Sequence, residues 1–240
     1  MTSFWKWIVR IGAAAAGSTA LVGLLHLPAA RPLLARFGAI CPVRATPQEV
    51  EAARREALRK LRGTDPAPGR PALGFELEST TLAAVHAWAK AAGIACEVSM
   101  QDTLVKCEEV PAGAVTTGGS GTLDEIAFGF RLADHRLVNI TTISVGLAVK
   151  AAVSRFNGIA AALDEALGPP TRKRLPSDAW DAKGPVFVEY RYADYIATVS
   201  ALDLPGRGLV LREHYVSARD AASSREIAQR LTRPETSNHP

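Results

Sequence analysis

The sequence predicts an α+β fold, in which helices cover one face of antiparallel strands, behind a single apolar helix at the N-terminus. Three observations predict it. Ile11–Leu27 runs without a charge. Two later stretches each read as a helix followed by strands of period-2 alternation. The turns between those strands are too short for parallel crossovers. With 48% hydrophobic and 22% charged residues among 240, the chain has apolar surface enough for a core.

The formal charge of +4 is unevenly spread. Residues 1–30 carry +2, residues 31–70 carry +5, and residues 71–240 carry −3. Basicity therefore flanks the apolar run, where it attracts anionic headgroups. A nucleic-acid-binding body would concentrate it on the fold, so no nucleic-acid partner is expected.

Trp5 and Trp7 suit a membrane–water interface, and Lys6 and Arg10 form a short basic n-region. The apolar run is short for a spanning helix and long for a signal peptide. Two readings stand: an uncleaved signal anchor over 1–30, or a secretory signal cleaved near Pro28-Ala29-Ala30. The second has a poor site, with Pro at the −3 position and Arg31 just after. Either way the rest of the chain is exported, which places it in the periplasm, with the anchor in the inner membrane.

Residues 31–71 read as a basic juxtamembrane helix and a Pro-rich linker. Thr46-Pro47-Gln48-Glu49 is a capping box with Pro at the first helical position. Val50, Ala53, Ala57, Leu58 and Leu61 share a face, and Gly63 ends the helix. Three prolines between Pro66 and Pro71 exclude helix or central strand.

The globular domain spans 72–218, with candidate halves 72–145 and 146–218. Gly74–Leu77 reads as a short strand, and Thr80 or Thr81 caps a helix to Ala92. Ile94–Val98 and Thr103–Val110 read as strands, Thr116–Thr122 as a loop, and Ile126–Leu132 with Arg136–Ile143 as a hairpin. Leu147–Leu167 is helical, stopped by Gly168-Pro169-Pro170. Residues 171–184 read as a basic irregular loop, and Val186–Tyr192, Tyr195–Leu202 and Leu209–Val216 as strands. Residues 219–240 read as a short helix and polar tail. The two cycles form either tandem repeats or one continuous sheet.

If residues of the first hairpin pair so that their numbers sum to 203, Val98 faces Val105, Glu97 faces Lys106, and Cys96 faces Cys107. All three pairs are complementary in one register. A disulfide Cys96–Cys107 fits that geometry and an oxidising compartment. The alternative is two buried free thiols. Cys41 is left over, free or paired between chains. No Cys-x-x-Cys exists and no His stands at ligand spacing from a Cys, so no metal and no cofactor are expected.

Gly118-Gly119-Ser120-Gly121 is neither a nucleophile elbow nor a phosphate loop. His86, His135 and His214 are scattered over a helix, a turn and a strand. The candidate binding surface is the C-terminal meander: Tyr190, Tyr192, Tyr195, Arg212, His214 and Tyr215. Tyrosine with arginine is the composition of interaction surfaces. Against this, tyrosine is simply a good strand residue.

Leu163-Asp164-Glu165-Ala166-Leu167-Gly168-Pro169-Pro170-Thr171, then Trp180 and strands, resembles small bacterial outer-membrane-assembly lipoproteins and β-lactamase-inhibitor-type repeats over residues 150–216. The lipobox of those lipoproteins is missing. The resemblance implies a non-catalytic binding or assembly role. The expectation is thus a membrane-anchored envelope protein with a protein partner. An envelope hydrolase with a fold-assembled site using His214 or His86 is the alternative.

Overall fold

The computed structural model describes residues 46–115, 121–177, 180 and 184–219. The apolar N-terminal segment, Cys41, the Gly-Gly-Ser loop and the helix expected beyond Arg219 lie outside the described residues. Among those described, no helix is long and apolar enough to cross a membrane.

Three α-helices are described, besides a 3-10 turn at Ala112–Ala114: α1 (Pro47–Leu61), α2 (Leu82–Ala91) and α3 (Val149–Leu167). Eight strands form one antiparallel sheet: β1 (Cys96–Ser99), β2 (Leu104–Pro111), β3 (Thr122–Phe130), β4 (Leu137–Leu147), β5 (Arg172–Arg174), β6 (Val186–Arg191), β7 (Tyr195–Leu204) and β8 (Gly208–Ser217). Their order is β1-β2-β3-β4-β8-β7-β6-β5. The fold is therefore α+β. Each half is a helix followed by four strands, and the halves join edge to edge through β4 and β8. The two cycles share one continuous sheet.

Side chains alternate across a sheet, so the register assigns the faces. Val98, Val105, Phe128, Ile140, Tyr215, Ala197 and Tyr190 form one row across seven strands. At one end of the row Phe128 meets Trp88 of α2, ring centroids 5.5 Å apart. At the other, the Tyr190 hydroxyl oxygen lies 3.3 Å from the Ala160 carbonyl oxygen of α3. Both helices thus cover the same face, and the main core lies beneath them. Phe75 completes an edge-to-face aromatic trio with Trp88 and Phe128.

The helix α1 lies on the other face. Thr46 and Glu49 close the capping box, with Thr46 N–H donating to Glu49 Oε2 at 2.8 Å. Leu58 packs on Ile196 and Val216. The rest of the apolar stripe read from the sequence (Val50, Ala53, Ala57 and Leu61) is exposed. Gly63 serves close approach and not a left-handed cap. A Cβ there would lie 2.2 Å from the Arg191 carbonyl oxygen, and its N–H donates to Tyr192 O at 3.1 Å.

Three local expectations change. Residues 74–77 form no strand, because positive φ at Leu73, Gly74 and Glu78 breaks extended pairing. The basic loop contains β5, whose Arg-Lys-Arg carries no apolar alternation to reveal it. The Pro-rich stretch is tied into the body: Ala67 N–H donates to Asp194 Oδ1 at 2.9 Å, Ala193 N–H to Asp65 O at 2.7 Å, and the Tyr195 hydroxyl to Pro71 O. Short β1 and fully charged β5 end the sheet, which discourages further strand addition.

Candidate functional site

The six residues singled out on the meander do not converge on one surface. Tyr190, Tyr195 and Tyr215 are buried on the helix-covered face. Their hydroxyls act inward. That of Tyr190 donates to Asp164 Oδ1 at 2.5 Å, that of Tyr215 to Glu213 Oε2 at 2.6 Å. Burial, reinforced at Tyr190 by Asp164 and at Tyr215 by Glu213, holds these phenols neutral, well above the usual range. Tyr192, just past β6, donates to the Leu167 carbonyl and so fixes the end of α3. Arg212 and His214 fall on the opposite face, because their strand partners Ile143 and Thr141 alternate with the buried Thr142 and Ser144.

Glu213, between them in sequence, explains the inward side. It is buried with Thr142 and Ser144 under α3. Thr142 Oγ1 donates to Glu213 Oε1 at 3.2 Å, and Arg155 Nη1 donates to Ser144 Oγ at 3.0 Å. The guanidinium of Arg155 stands 3.9 Å from Glu213. A buried carboxylate with three polar neighbours is satisfied, and this cluster locks helix to sheet.

The outward face is the candidate site. Its central row is Lys106, Ala127, Thr141, His214, Thr198, Glu189 and Arg172; the next row is Glu108, Glu125, Ile143, Arg212, Ser200, Phe187 and Arg174. Most of its charges are paired. Lys106 bridges Glu108 and Glu125 at 2.9 and 3.0 Å. Glu189 receives Arg191 at 2.7 Å and Arg172 at 3.7 Å. The Arg172 guanidinium also lies over the Phe187 ring, 5.5 Å from its centroid.

Arg212 and His214 stand apart from that pairing. Neither makes a hydrogen bond or ion pair with a described residue, and Arg212 is exposed. Burial on the sheet and the neighbouring Arg212 charge push His214 down to about 4, so its imidazole is neutral near pH 7. The hydroxyls of Thr141, Thr198 and Ser200 flank the pair. The composite offers one fixed cation, a neutral imidazole and three hydroxyls on adjacent strands. It holds no carboxylate directly opposite His214, whose strand partners are Thr141 and Thr198. His86 lies exposed on α2.

Sequence reasoning missed Thr141, Thr198, Ser200 and Phe187. Period 2 outward from Arg212 and His214 finds neighbours on one strand only. Thr198, Ser200 and Phe187 appear only once the β6-β7-β8 register is set, and Thr141 only when β4 meets β8. Among the described residues, no three His, Cys, Asp or Glu side chains cluster as metal ligands. A cleft of about 110 Å³ between α1 and the sheet is lined by Val50, Met100, Leu104, Phe130 and Val138, too little for most small-molecule ligands.

The hairpin carries the other chemical feature. Cys96 and Cys107 are joined by a disulfide, in the register in which Glu97 faces Lys106 and Val98 faces Val105. Their Cα atoms lie 4.1 Å apart.

Fold and site together define an α+β protein in which the described residues cover one sheet face with helices and leave the other largely open. Set against known protein families, curated proteins and solved structures, the chain has no significant match in any of the three. The helix-then-meander resemblance of residues 150–216 has no family match beside it.

Proposed function

We propose that the protein is a membrane-anchored envelope protein of binding or assembly type, acting without catalysis, its α+β body in the periplasm. The observation that carries this reading is the sheet face opposite α2 and α3, where Arg212 and His214 are left without described partners. A broad sheet face with a guanidinium unpaired among the described residues, hydroxyls and a half-buried aromatic suits a macromolecular partner better than a small substrate. The disulfide supports an oxidising compartment. The apolar run and its basic flank support a membrane anchor.

The test is photo-crosslinking in intact cells from single positions. A crosslinker at Ser200, on the open face, gives a discrete envelope-protein adduct. One at Ala161, exposed on α3, gives none. No adduct from Ser200, or turnover by the purified protein that His214→Gln abolishes, contradicts the reading.

A further inference from the structure

The open face is electrically lopsided. Its β2–β3 end holds Lys106 between two carboxylates, Glu108 and Glu125. Among the described residues, its β6 and β8 part with Arg172 of β5 sets three arginines (Arg172, Arg191 and Arg212) against one carboxylate, Glu189. Among the described residues that half is therefore cationic, although residues 71–240 are net negative. The excess is local to this patch.

The surroundings of Arg212 narrow the partner. Its row neighbours are Ile143 on β4 and Ser200 on β7, with Phe187 one strand further. A guanidinium beside apolar and hydroxyl groups suits a carboxylate on a side chain that also brings carbon and backbone amides, since arginine grips carboxylates through its planar fork. A bare polyphosphate offers no apolar surface, and Glu189 amid the arginines repels it. We propose that this half of the open face docks an acidic segment of a protein partner, with a carboxylate on Arg212 and polar backbone groups on His214, Thr198 and Ser200. This rests on the binding reading above and names the partner's chemistry.

The experiment uses the full chain in a neutral detergent and a fluorescent peptide of alternating Glu and Leu, read by anisotropy. Residues 1–70 are themselves basic, so the readout is the part of binding that depends on Arg212. Arg212→Gln weakens binding by about three- to tenfold, and Arg212→Glu by more. Lys150→Gln, an exposed cation on α3, leaves it unchanged. The difference between wild type and Arg212→Gln shrinks at high salt. No saturable binding, or equal affinity for Arg212→Gln and Lys150→Gln, overturns the proposal. So does Arg212-dependent binding to phosphatidylglycerol vesicles or polyphosphate that the peptide does not share. Loss of the anchor, or discovery of turnover, would undo the functional reading above without altering this measurement.

Discussion

His214 illustrates how one register position decides a residue's role. Its sequence neighbours Glu213 and Tyr215 point under α3 and are satisfied there. His214 points the other way, beside Arg212, and is held neutral. The linkage follows from the depressed value. Below pH 6.5 the unfolded chain binds a proton that the folded chain refuses until about pH 4. Stability is thus complete above pH 6.5 and declines as pH falls through that window, by about 1–3 kcal/mol. Urea midpoints measured from pH 7 to 4 fall for the wild type. In His214→Gln this part of the slope disappears, and an unchanged slope would remove His214 from the account. The residue types of the site were legible in the sequence. Which side of the sheet each took was not, because tyrosine serves equally well in a core and on a surface. Here the Tyr190 and Tyr195 hydroxyls find partners in α3 and the Pro-rich stretch.

At the scale of elements, legibility followed local chemistry. Two helices announced themselves by caps, Thr46 for α1 and Thr80 or Thr81 for α2, and the structure shows Thr46 and Thr81 accepting backbone N–H groups. The Cys96–Cys107 register was legible because charge, apolar and thiol pairs agreed at one offset. Glu78, by contrast, gave no signal. Burial alone would raise its carboxyl, but hydrogen bonds from Arg70 and Ser217 and the charges of Arg70 and Arg219 hold it below the usual range. That network fixes the end of β8 to the stretch before α2, a contact between residues 139 apart in sequence. The edge hairpin has only β2 joined to the next strand, so its disulfide matters. Closing a loop of sequence separation 11 contributes about 2–3 kcal/mol. Reductant lowers the unfolding free energy by that amount in wild type. It has no effect on Cys96→Ala/Cys107→Ala, and a reductant-insensitive wild type would contradict this.

At the scale of the molecule, the α+β class and both meanders could be read from periodicity. Their union could not. The β4–β8 pairing joins residues about 70 positions apart, and such contacts leave no local pattern. Yet that pairing creates the open face by bringing Thr141 beside His214 and Ile143 beside Arg212. This face is proposed to work in the envelope, on an oxidised body tethered to the membrane. Thiol labelling with a membrane-impermeant maleimide in fractionated cells tests it most directly. The protein is expected to stay with membranes, and Cys96 and Cys107 to label only after reductant is added to intact, outer-membrane-permeabilised cells. Free labelling of both only after cell lysis would place a reduced body in the cytoplasm and contradict the account.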